Sequence, residues 1–151
     1  MKKFYFSVLI LISLVVISFD SCKKEKKIPE PVYVIKNWGK ALEELNYRLY
    51  CQCEAYPKDV AVFRDMYKDY YIIDLMALDV EDEDKEDIRR DYKNNQYLYR
   101  AVTFEGTAVK RDTKKPYQLI RGDAVFIKFL DGERKNDGWL MSNRTITRIN
   151  K

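Results

Sequence analysis

Any chemistry in this chain of 151 residues falls to carboxylates, amines, guanidinium groups, phenols and three thiols, because it holds no histidine. That removes His-based catalytic triads, imidazole metal sites and the commonest general acid–base group. Beyond residue 21 the one serine is Ser142, in a segment that reads as a strand with no base beside it. The five glycines are scattered and build no phosphate-cradling loop. Cys51 and Cys53 alone cannot complete a zinc site without carboxylates. Two acids could hydrolyse a glycosidic bond, but no pair stands out. The residues predict a non-enzyme with no metal and no cofactor; a carboxylate-based hydrolase ranks last.

Two groups of acids are candidate binding residues. Asp74 is the acid in the middle of the apolar run Tyr71–Val80, whose other acid, Asp79, stands next to its end. It reads as a strand-edge acid or as a carboxylate facing a pocket. The second group lies in Asp79–Asp91, which holds eight acids and three bases. Glu81, Asp82, Glu83 and Asp84 are its densest part. The EF-hand pattern fails there: Asp84 sits where glycine is needed and Arg90 where the bidentate glutamate belongs. The run predicts a short helix, with acids in its first turn and Arg89, Arg90 and Lys93 in its last. Tyrosines number twelve and include Tyr47, Tyr50, Tyr67, Tyr70, Tyr71, Tyr97 and Tyr99. They suit interfaces and sugar-like ligands, and also half-buried stripes.

The third cysteine, Cys22, sits at the end of a different kind of segment. Lys2 and Lys3 precede an uncharged run from Phe4 to Phe19, shorter than the ~20 residues of a membrane-spanning helix. Ser21-Cys22 and a run of lysines follow. A positive start, an apolar middle and a small residue before a cut make a secretory signal. With cysteine at the cut, Met1 to about Lys27 resembles the signal peptides of bacterial lipoproteins. Phe19 and Asp20 depart from that family's pattern. The resemblance implies removal of residues 1–21, fatty acylation (palmitate among the chains) at Cys22, and membrane attachment in the cell envelope. Lys23 favours the outer membrane over the inner one, with the domain in or facing the periplasm. An uncleaved anchor is the alternative. Such a compartment permits disulfides. If residues 38–55 are helical, however, Cys51 and Cys53 point about 200° apart. That predicts a buried Cys53 and an exposed Cys51, with a bridge as the lesser reading.

Residues 22–36 read as a Lys/Pro tether, and 37–151 as a single domain. Loss of Lys2, Lys3 and Asp20 lowers the formal charge from +4 to +3. Most of the remainder lies in the tether, so the folded part is nearly neutral and nucleic acid is not an expected partner. Asn37 is expected to cap helix 38–55, whose stripe is Trp38, Ala41, Leu42, Leu45, Leu49 and Cys53. Pro57 closes it. Asp59 caps a second helix with Phe63, Met66, Tyr67 and Tyr70 on one face. Strands are predicted over 71–80, 96–110 (Gly106 as a bulge or bend), 122–130 and 139–149. Residues 110–151 carry eleven bases and five acids, which suggests attraction to the acidic run.

The fold class is therefore α+β: two N-terminal helices packed on a curved, mainly antiparallel sheet of about four strands. In element order, residues 37–151 resemble the NTF2-like cone. A small OB- or SH3-like barrel over 96–149, with a helical N-terminal extension, is the rival. The expected function is a membrane-anchored, non-catalytic module that binds an envelope protein or a small ligand. The alternative is an immunity or inhibitor protein whose acidic segment plugs a toxin or hydrolase.

Overall fold

The computed structural model describes residues 30–82, 85 and 87–148. The signal segment, Cys22, and the acids Glu83 and Asp84 lie outside the described residues. The fold is α+β. Helices α1 (Pro31–Glu43), α2 (Tyr47–Cys53) and α3 (Val60–Tyr67) precede strands β1 (Tyr70–Val80), β2 (Arg89–Arg90), β3 (Gln96–Lys110), β4 (Pro116–Phe129) and β5 (Trp139–Arg148). The strands form one open antiparallel sheet in the order β1-β3-β4-β5, with β2 also pairing β3. Among the described residues β5 pairs with β4 and with no other strand, so the barrel expected over 96–149 is corrected to an open sheet.

Helix α1 begins seven residues before the expected start. Pro31 sits in its first turn, where its fixed φ suits the helix and its missing N–H costs nothing. Val34, Ile35, Trp38, Ala41 and Leu42 then follow helical spacing and are all buried. Residues 31–36, expected as tether, are therefore helix, and Asn37 lies inside α1 rather than capping it.

The expected single helix 38–55 breaks at Leu45. Leu45 adopts φ +50°, and the Leu45 and Asn46 N–H groups donate back to Leu42 O and Ala41 O. This is a Schellman ending, built without the usual glycine. The Asn46 side chain accepts from Leu49 N at 3.1 Å and caps α2. Asp59 caps α3 as expected, accepting from Ala61 N and Val62 N. Phe63 of α3 is buried, but Met66 is 52% exposed and Tyr70 opens β1, which corrects the expected four-residue face.

The Asp79–Asp91 run is not a helix. Asp79 and Val80 close β1, and Arg89–Arg90 form β2. Strand β3 occupies the expected span. Its Gly106 keeps regular register with Ile120, and the bulge lies opposite, on β1, between Ile73 and Met76. A Cβ on Gly106 would come within 3.1 Å of Ile73 O and Leu75 Cδ2, so the glycine makes room for the bulged strand.

The main core lies between the helices and one sheet face. Trp38, Tyr50, Phe63, Phe104, Phe126 and Met141 fill it. Trp38 meets Tyr67 and Phe104 edge-on, with centroids at 6.4 and 6.5 Å. A smaller cluster joins Ile127, Phe129 and Leu140, at alternate strand positions on the other face, with Ala55 from the segment after α2.

Basic residues of the β half hold helix ends instead of the acidic run. Arg111 donates to Leu42 O at 2.7 Å, Glu43 O at 2.8 Å and Tyr67 O at 3.3 Å. Arg134 donates to Glu54 O at 2.7 Å and Ala55 O at 2.9 Å. Guanidinium groups satisfy carbonyls that a helix C-terminus leaves open, and favour its partial negative charge.

Candidate functional site

The candidate site is a groove between α1 and β1. Gly39 lets the helix lie close to the strand: a Cβ there would come 2.5 Å from Leu75 Cδ1 and 3.4 Å from Ile72 O. Two depressions of about 550 and 570 Å³ run along this seam. Both are lined by Lys36, Asp74 and Leu75, so they adjoin. The α1 wall carries Lys36, Lys40, Glu43 and Glu44; the β1 wall carries Asp74, Asp79 and apolar residues. Lys40 pairs with Glu44 at 3.7 Å. Lys36 is exposed and makes no ion pair among the described residues.

Strand β1 is an edge strand, paired on one side with β3. Two irregularities break its ladder, between Ile73 and Met76 and between Ala77 and Asp79. Asp74 sits in the first with φ +54°, a conformation that aspartate tolerates better than most residues. It is exposed. It stands on a strand edge and lines both depressions.

The other described candidates, Glu81 and Asp82, do not line this groove. Glu81 is tied to β3: its N–H donates to Ala101 O, its carbonyl accepts from Arg100 Nε at 2.9 Å, and its carboxylate accepts from Ala101 N at 3.4 Å. Asp82 is exposed beyond the end of β1. Farther along the acidic run, Asp87 pairs with Arg89 at 2.9 Å. Asp91 accepts from Lys93 N, Asn95 N, Asn95 Nδ2 and Tyr56 OH. Burial works against the Asp91 charge, but these hydrogen bonds hold its carboxyl below the usual range. Cys51 and Cys53 are free thiols on α2, which corrects the disulfide reading. Cys53 is buried, and burial pushes its thiol up to about 12. At neutral pH it is a protonated, unreactive packing group.

Sequence reasoning missed a buried charged cluster on the far side of α1. Arg144 of β5 donates to Glu54 Oε1 at 2.7 Å, to Tyr67 OH at 2.9 Å and to Met141 Sδ at 3.2 Å. Its guanidinium lies 4.7 Å from the centre of the Trp38 ring. Glu54 is only 4% exposed. Burial raises its pKa, and Arg144 acts in the opposite direction. Burial also raises the pKa of Tyr67. For Arg144 burial disfavours the charge, yet Glu54 and Tyr67 keep its pKa above the ordinary value. Trp38 Nε1 is buried without a hydrogen-bond partner. It still lies close enough to Glu54 and Tyr67 to lower both their pKa values. The depressions above do not reach this cluster, so it joins helices to sheet. Only the unlikelihood of solvating an acid directly after buried Cys53 hinted at it in the sequence.

Among the described residues, no three His, Cys, Asp or Glu side chains converge as metal ligands. Nor is any described helix long and apolar enough to cross a membrane. No protein-family model, no curated protein and no solved structure matches this chain.

Proposed function

We propose that this chain is a lipid-anchored, non-catalytic binding module of the bacterial cell envelope, acylated at Cys22 and using the α1–β1 groove to hold its partner. The observation that carries the reading is the position of open space in the fold. Aromatic and aliphatic side chains occupy the region between helices and sheet, while two adjoining depressions lie outside, along the open edge of β1. The likeness to the NTF2-like cone enters through element order alone. In this reading the cone interior is filled by Trp38, Phe104 and Phe126, and recognition has moved to its edge. The basic segment after Cys22 then stands the domain off the membrane, with the outer membrane as its place.

Two measurements test the proposal. Growth with an alkyne analogue of palmitate should label the chain, and Cys22→Ala should abolish the label. A photo-crosslinking amino acid at Lys40 should give a discrete adduct in intact cells, and one at Lys135, exposed in the β4–β5 connection at the opposite end of the sheet, should not. An unlabelled chain would defeat the anchor. Equal adducts from both positions, or none, would defeat the groove.

A further inference from the structure

We propose that the groove's occupant is a short extended segment of a partner polypeptide, added to β1 as a strand along Leu75–Val80, with an acidic side chain set against Lys36. This rests on the groove being the recognition surface and goes on to name what it recognises.

Three features support that class of partner. The outer edge of β1 pairs with no strand among the described residues, so it presents backbone donors and acceptors that an extended chain satisfies. Met76 and Leu78 are 58% and 43% exposed on this edge, which gives an incoming segment apolar contact. Lys36, shared by both depressions and without an ion pair among the described residues, supplies the charge preference. The carboxylates Asp74 and Asp79 on the facing wall then disfavour an acid elsewhere along the trough. The two bulges decide between a partner segment and a second copy. They interrupt the edge after Ile73 and again after Ala77, which obstructs the long, flat pairing of two identical edges; the second falls within 75–80, so the partner segment is short and follows the bend there.

The test pans a random twelve-residue peptide library, displayed on phage, against the full-length chain in detergent and against its Lys36→Glu variant. Wild type should enrich peptides with one acidic residue between apolar ones. The variant should enrich a basic residue at that place. Cross-pairing should cost at least fivefold in affinity. A bound peptide should slow amide hydrogen exchange of residues 75–80 at least tenfold, without equal slowing in β5. Absence of enrichment, enrichment blind to the charge swap, or protection away from β1 would overturn the proposal. So would concentration-dependent protection of 75–80 without peptide, which would make a second copy the occupant. Crosslinks from Lys40 in cells without strand-like protection would sink strand addition alone and leave the binding-module reading standing.

Discussion

The two edges of the sheet are treated differently. At the β5 edge, Glu54 forms an isolated bridge with Met141, and the Ala55 N–H donates to Met141 O at 2.8 Å. The Glu54–Arg144 ion pair and the Arg134 contacts clamp the same region. At the β1 edge the described residues give two bulges, the aspartates Asp74 and Asp79, and depressions beside α1. One edge is sealed by buried charge, and the other is left open and merely interrupted. Burying a charge is costly unless it is paired, so investment at β5 marks stability. The β1 edge carries no such buried pair among the described residues, as the proposed partner segment requires.

The contrast can be broken most strongly at Arg144. Arg144→Ala strands the buried Glu54 carboxylate and should cost about 3–5 kcal/mol in urea unfolding. Replacing Glu54 and Arg144 together by leucine should recover most of that. A cost below about 1 kcal/mol would mean that β5 is not sealed by this pair.

The pH dependence of the same pair is the next effect in size. Burial raises Glu54 above its ordinary value of 4.5. The raised value means that the folded state favours the protonated form. Its stabilising share is therefore full below pH 4.5 and is lost as the pH rises through the shifted value. Unfolding midpoints of wild type minus Glu54→Gln should decline across that window and level off above it. A flat difference would place Glu54 in a more solvated site than its burial implies.

At the open edge, backbone strain should dominate. Asp74→Gly relieves the φ +54° conformation and should leave stability unchanged or raise it by up to about 1 kcal/mol. Asp74→Val should lower it by about 1–2 kcal/mol. Calorimetry of both variants checks the sign. If both are neutral, the bulge is not held in the conformation seen.

The smallest effects are expected on the surface. Lys36→Glu should change stability by less than about 0.5 kcal/mol while altering partner choice. Lysine at both Glu81 and Asp82 should leave groove binding within about twofold. A loss of affinity and salt dependence together on that charge reversal would instead favour a plug-like acidic segment.

Regularity decided how much could be read in advance. Strand β3 was legible over its whole span, and β5 from its glycine-bounded turn. The Asp59 cap was legible because its side-chain chemistry is local. The break at Leu45 was not: the apolar stripe runs through it, and a leucine at positive φ carries no sequence signal. The start of α1 was hidden by reading Pro31 as a tether residue when proline also opens helices. Asp74 was picked out as an acid in an apolar strand. Its setting in a bulge, facing Gly106, depended on a partner strand some thirty residues later.

By itself, the sequence determined the absence of imidazole chemistry, the α+β order of elements and the alternation that gives the sheet a packed face. Those properties follow from residue type and from near neighbours along the chain. Tertiary structure decided which charges are buried, which strand edge is sealed and where open space remains. Each of these depends on residues far apart in sequence, as with Glu54 and Arg144, ninety positions apart. Whether a charge is solvated or paired is fixed only once the chain has closed around it.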